Sequence, residues 1–146
     1  MKFYLVVDED KEESVVLTCK KVTSAVKKIQ DLCSELSSDE ELLYGYQDSE
    51  IIPLEINRVD CFYTKENKVF AKVESEEYLL KLRLKQIAEM VDDSFIKINQ
   101  GCIVKTDSIK NFAASFGGSL KVVLKNGYCD FVSRREITNI KRRFGL

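Results

Sequence analysis

Phe95-Ile96-Lys97-Ile98-Asn99-Gln100-Gly101-Cys102-Ile103-Val104-Lys105 is the stretch on which the reading of this chain turns. Its apolar residues alternate on both sides of a polar triplet, the pattern of two strands joined by a break at Asn99-Gln100-Gly101. A glycine at such a break lets the backbone come close to a neighbour or a ligand. Asn and Gln side chains can each bond two edge atoms of adenine at once. Two readings fit these residues, a solvated loop and a contact to a base.

Downstream, Leu120–Leu124 and Tyr128–Val132 flank Asn126-Gly127, the strongest hairpin signal in the chain. Ser133 then stands where its hydroxyl can cap a last helix, with Ile137, Ile140 and Phe144 on one face. Arg134 and Arg135 fall in the first turn of that helix, where cations oppose the macrodipole. Either they reach water, with Arg135 pairing Glu136 or Asp130, or a functional need holds them there. An arginine can donate two bonds to guanine in the major groove, and helix-start amides can hold phosphate.

Upstream, the pattern is of short strands: 43–46 and 51–54 around the turn Asp48-Ser49, 59–63 and 68–74 around Lys65-Glu66-Asn67, and 77–82. A short helix is expected near 84–91, where Leu84, Ile87, Ala88 and Val91 share a face. Residues 2–7 and 14–19 read as two strands. Thr23 or Ser24 can cap a helix in which Ala25, Val26, Ile29, Leu32, Cys33 and Leu36 share a face. Residues 1–40 are thus a β-β-α segment and residues 41–146 a second, β-rich part.

Charge is unevenly spread. Residues 95–146 hold ten lysines and arginines against three acids, a net +7, which leaves −8 on residues 1–94. A basic C-terminal part suits an acidic partner such as DNA, although a dipolar surface with no partner has the same numbers. The five cysteines are 14, 28, 41 and 27 positions apart, so no C-x-x-C zinc motif exists, and an odd count suggests reduced thiols in a cytoplasm. There is no histidine, which removes Ser-His-Asp and Cys-His catalysis and most metal enzymes. No metal and no cofactor is implied. No apolar run approaches the roughly 20 residues of a membrane span, and the N-terminus lacks the pattern of a secretion signal. Val6-Val7-Asp8-Glu9-Asp10 looks like the acidic strand end of a phosphoacceptor receiver, but only one helix precedes the β-rich part, so a solvated turn is the better reading. Gly117-Gly118 lacks the following Gly-Lys-Ser/Thr of a phosphate loop.

Taken together, Phe95–Lys105 and the run from Gly127 through Val132-Ser133-Arg134 resemble the LytTR DNA-binding family. The family's hallmarks are Phe-x-Arg-hydrophobic-His-Arg-Ser-aromatic-Ile-Val-Asn and Gly-x-x-x-x-Val-Ser-Arg before a final helix. The strand Val59-Asp60-Cys61-Phe62-Tyr63 and the helix beginning Leu84-Lys85 also fit, in the same order, over residues 41–146. Asn99-Gln100-Gly101 replaces the usual His-Arg-Ser, and Lys105 replaces the usual Asn. The whole chain looks most like short regulators of this family that carry a β-α segment in place of a receiver.

The resemblance implies an α+β fold, mainly antiparallel β and elongated, with short helices. It implies loops entering two successive major grooves. Carried over position by position, the base-reading places are Asn67, Gln100 and Arg135. Backbone or neighbouring contacts fall to Lys65, Lys97, Asn99, Ser133 and Arg134. The expected function is a non-enzymatic, cytoplasmic transcription regulator bound to paired direct-repeat sites in duplex DNA. Residues 1–40 are expected to make a homodimer, and a small membrane protein is an expected partner. The competing reading is a protein-interaction module whose basic C-terminal face binds an acidic protein. A third, an enzyme with Cys102 or Cys129 as nucleophile, lacks a neighbouring base, and both cysteines lie in apolar strands.

Overall fold

Turn chemistry sets the frame of the β-rich part. Asp48 and Ser49 take φ of 47° and 70°, and Glu66 and Asn67 take 52° and 61°. Two consecutive left-handed residues make the tight turn whose twist matches that of paired strands. The first turn joins β1 (Leu42–Gln47) to β2 (Glu50–Glu55), and the second joins β3 (Cys61–Lys65) to β4 (Lys68–Val73). The computed structural model describes residues 2, 4–7, 10, 15–36, 42–115 and 117–146. They fall in two units, residues 1–39 and 40–146.

In the second unit, β1 to β4 continue into β5 (Glu76–Leu80), α2 (Leu84–Met90), β6 (Phe95–Asn99) and β7 (Cys102–Lys105). After them come β8 (Ile109–Ala114), β9 (Leu120–Leu124), β10 (Cys129–Val132) and α3 (Arg134–Phe144), with α1 (Ser24–Leu36) belonging to the first unit. The strands form a seven-stranded sheet in the order β2-β1-β5-β4-β3-β7-β6 and a three-stranded sheet β10-β9-β8. All pairings are antiparallel. The fold is therefore the mainly antiparallel α+β arrangement that the sequence predicts.

The central strands are apolar on consecutive residues because both of their faces are covered. Cys61 and Tyr63 of β3, Cys102 and Val104 of β7, and Ile96 and Ile98 of β6 join one core with Leu120, Val122, Leu124, Val132 and Ile140. Their neighbours Phe62, Ile103 and Phe95 point the other way, into a second core with Leu43, Leu54, Val69, Ala71, Leu80 and Ile87. Alternate residues of one strand thus serve two cores. The second sheet and α3 close one face, and α2 with the β1–β2 hairpin closes the other.

Several expectations need correction, while the Thr23 cap is as expected. Residues 2–7 and 14–19 were expected as strands, yet the described residues among them (2, 4–7 and 15–19) belong to none; residues 3 and 14 lie outside the described residues. Tyr4, Leu5, Val6, Val7, Val15 and Val16 are exposed, and β-branched composition makes a strand only where a partner and a covered face exist. In α1, Thr23 does cap, its Oγ1 accepting the Val26 N–H at 3.3 Å. Of the helix's apolar stripe, Val26 is buried, Ile29 and Cys33 are half-buried, and Ala25 and Leu32 are exposed; the side chain of Leu36 lies outside the described residues. β8 was not expected at all: Lys110 and Asn111 interrupt its apolar pattern, and its register with β9 shifts between Ile109 and Asn111. β3 begins at Cys61 rather than Val59, because the Val59 N–H closes a 3-10 turn on Ile56 O at 3.1 Å. Finally, the Ser133 hydroxyl makes no cap; its main-chain carbonyl starts α3 by accepting the N–H groups of Glu136 and Ile137 at 2.9 and 3.2 Å.

Candidate nucleic-acid interface

Antiparallel pairing decides which loops meet. Tyr63 of β3 faces Cys102 of β7, so the end of β3 runs beside the β6–β7 turn. The Thr64 N–H donates to the Gly101 carbonyl at 2.8 Å, and three residues further on stands Asn67. On the other side of the β6–β7 turn, the Ser133 N–H donates to the Ile98 carbonyl at 2.9 Å. The β3–β4 turn, the β6–β7 turn and the start of α3 therefore lie side by side at one end of the unit. These are the two turns and the helix start that hold Asn67, Gln100 and Arg135.

Asn99 clamps the β6–β7 turn to strand β10, just before α3. Its Oδ1 accepts the Gly101 N–H at 2.8 Å, and its Nδ2 donates to the Phe131 carbonyl at 2.8 Å. Both ends of the Asn99 amide are engaged within the protein, with one N–H and one lone pair left over. Gly101 also has a plainer role than expected. A Cβ there would lie 3.6 Å from Thr64 Cβ, an ordinary contact, so the protein's own packing does not demand glycine.

The remaining candidates divide. Gln100, Arg134 and Arg135 are exposed, and their side chains make no hydrogen bond or ion pair with the described residues. The proposed pairing of Arg135 with Glu136 or Asp130 does not occur; Asp130 accepts the Phe131 N–H at 2.7 Å and the Tyr128 hydroxyl at 3.3 Å. Asn67 is exposed and needed by its turn, because Asn tolerates the left-handed conformation better than most residues. Lys65 bonds Glu77 Oε1 at 3.1 Å and lies over the Phe70 ring at 4.9 Å, so it is partly committed. Lys97 sits one pleat inside β6, on the face covered by α2, in a shallow hollow with Asp92 and Asp93.

Helix α3 holds its arginines in place from below. Ile140 is fully buried, Ile137 and Phe144 pack on the same core, and the Phe112 and Phe144 rings lie 5.0 Å apart. Arg143 donates to the Asp93 carbonyl, and Gly145 ends the helix at φ 67°. Burial pushes the Cys102 thiol up to about 12 and raises the Cys61 thiol further, so neither is a thiolate at neutral pH. Among the described residues no group of three or more His, Cys, Asp or Glu side chains could hold a metal ion. Phe131 of β10 is an exposed aromatic whose carbonyl accepts the Asn99 amide, while Val132 beside it points into the core.

The description LytTr DNA-binding domain matches residues 49–145, which include both turns and the helix start. The chain belongs to the LytTR family. A LytTr DNA-binding domain from Bacillus cereus has the same fold, with a TM-score of 0.66 at 20% identity over 72% of this chain and 97% of that one. An uncharacterized HTH-type transcriptional regulator of Staphylococcus aureus strain bovine RF122 / ET3-1 is 27% identical across 100% of this chain and 99% of its own length. Its counterpart in strain NCTC 8325 / PS 47 is 26% identical with the same coverage. Similarity to these relatives therefore includes the first unit. The helix-turn-helix label is theirs: in this LytTR chain α1, α2 and α3 are separated by β1–β5 and β6–β10.

Proposed function

We propose that this protein is a sequence-specific duplex-DNA-binding transcription regulator that reads successive major grooves with loops rather than with a recognition helix. The observation that carries this reading is the bundling of the two turns and the start of α3 at one end, with Gln100, Arg134 and Arg135 exposed and uncommitted. Asn67, Gln100 and Arg135 are the base readers. Lys65, Lys97, Ser133 and Arg134 serve the backbone or neighbouring atoms, and Asn99 acts by holding its loop. Phosphate contacts set register while the three readers set sequence. The family name and the names of the relatives agree with this.

Residues 1–40 are assigned to pairing two copies on direct-repeat sites, and exposed Leu32 on α1 supports that assignment. A small membrane protein as the source of the signal and a cytoplasmic location complete the reading; no helix among the described residues is long and apolar enough to cross a membrane.

The test is selection of binding sites from a randomised duplex pool, followed by gel shifts of the selected duplex at increasing salt. Six lysines and arginines on phosphates give a slope of log affinity on log salt near −5. Arg135→Lys keeps a point charge but loses the two parallel donors, so it loses discrimination at one guanine by ~1–3 kcal/mol while non-specific affinity stays. A pool that yields no preferred sequence, together with tight binding of an acidic protein by the basic C-terminal face, would favour the interaction-module reading instead.

A further inference from the structure

Phe131 is 54% exposed, although it lies in a strand whose next residue is core. Strand alternation puts it on the outer face of the three-stranded sheet, opposite Lys121 of β9. The Lys121 ammonium stands over its ring, 5.9 Å from the centroid. This pair is tied to the loop end from two directions. The Phe131 carbonyl accepts the Asn99 amide at 2.8 Å, and two residues later Ser133 is bonded to Ile98. The Phe131 ring gains little from burial there, and the cation at its face is an attractive pairing that holds the two side chains together at the surface. Beside a basic, hydrogen-bonding loop cluster it offers an apolar flat surface next to a positive charge. That combination suits the edge of a nucleotide: a thymine methyl or a deoxyribose on the ring, and the adjoining phosphate on the ammonium.

We infer that Phe131 and Lys121 form a fourth DNA contact, in which the Phe131 ring packs against a thymine methyl group and Lys121 pairs with the neighbouring phosphate. The inference rests on the DNA-binding reading above and adds a specificity determinant to it. Phe131 supplies apolar contact at a position where the three polar readers supply none. Its recognition is of the methyl, so it separates thymine from cytosine and also from uracil, which differs from thymine by that methyl alone.

The test uses the full chain and the duplex selected from a randomised pool by the wild-type protein. Each thymine of that duplex is replaced in turn by uracil. At one position the wild-type protein loses about fourfold in affinity, the worth of one buried methyl. Phe131→Ala binds the selected duplex more weakly and shows no loss at that same replacement, while its affinity for a scrambled duplex stays within about twofold. Phe131→Leu, which keeps an apolar side chain in the strand, folds like the parent and recovers part of the methyl sensitivity. Lys121→Gln lowers the salt slope by about one on both duplexes. The inference falls if no thymine-to-uracil replacement affects the wild-type protein. It falls equally if Phe131→Ala and Phe131→Leu weaken selected and scrambled duplexes by the same factor, which would make the ring a support for the loop. Failure of the wild-type protein to select any sequence would sink the DNA reading itself, a result distinct from either of these.

Discussion

Asn99 ties the β6–β7 turn to β10, and its removal can be costed. Its amide makes one bond within its own turn and one to strand β10, accepting from Gly101 N–H and donating to Phe131 C=O, both at 2.8 Å. Each such bond contributes a net ~0.5–1.5 kcal/mol, so Asn99→Ala should destabilise the protein by roughly 1–3 kcal/mol. That is survivable against an ordinary stability of about 5–15 kcal/mol. In urea unfolding followed by circular dichroism, the midpoint should fall by about 1 M with the slope unchanged. Affinity for the selected duplex should fall further than stability alone requires at a concentration where the variant is folded, because Gln100 is then no longer held in register with Arg135. Asn99→Asp sharpens the point. The substituted side chain has nearly the same shape and still accepts from Gly101, but at neutral pH it turns an ionised oxygen toward the Phe131 carbonyl. That repulsion raises the carboxyl's pKa in the folded state above its unfolded value of about 3.9. Stability should therefore be lowest at neutral pH and recover as pH falls through the raised value, since the protonated carboxyl can donate where the amide did. If Asn99→Ala costs less than about 0.3 kcal/mol, or if Asn99→Asp is as stable as the parent at pH 7, the clamp is not what holds these loops together.

The remaining predictions separate core, turn and thiol chemistry. Gly45→Ala should destabilise by ~1–3 kcal/mol in the same urea assay, because its Cβ would stand 2.7 Å from Tyr78 Cβ and 2.8 Å from Leu54 Cδ1 inside the β1–β2–β5 packing. Asn67→Gly should leave stability within about 0.5 kcal/mol, since glycine takes φ 61° freely, yet should lose base discrimination in the gel shift; equal specificity would remove Asn67 from the readers. With a thiol reagent at neutral pH, exposed Cys19 and Cys129 should react in the folded protein, whereas buried Cys61 and Cys102 should react only on unfolding, as peptide mapping of the modified protein would report.

The parts legible in the sequence are those governed by local rules. Alternation located the strands around Asn99-Gln100-Gly101, and Asp48-Ser49, Glu66-Asn67 and Asn126-Gly127 all sit in turns, with Gly127 at φ 88°. The spacing of Ile137, Ile140 and Phe144 gave α3 its buried face. What escaped depended on non-local partners. Whether residues 4–7 and 15–19 pair is a question about neighbours, and no propensity answers it. β8 is stabilised by β9 across a register shift that leaves no clean period in Ile109–Ala114. Asn99 looked like an outward-facing polar residue because the carbonyl that engages its amide is 32 positions away.

The departures from the family pattern at residues 99–101 follow from how labour is divided at this end of the molecule. The loops are fixed by main-chain bonds, Thr64 to Gly101 and Ser133 to Ile98, that any residue but proline at the donor position would permit. The strands that supply them are anchored by two cores, Cys61, Tyr63, Ile98 and Cys102 on one side and Phe62 and Ile103 on the other. Those core residues are buried, and neither Gln100 nor Arg135, both exposed, contributes to a core. Gln100 can therefore change without cost to either core, provided that the residue beside it still spans the gap between Gly101 and Phe131. Asn99 meets that condition with an amide about as long as an imidazole is wide, offering an acceptor to one side and a donor to the other as a neutral histidine does. On the proposed DNA-binding function Asn99 and Gln100 form a coupled pair: Asn99 preserves the geometry, and a substitution at Gln100 should then alter base preference on an unchanged frame.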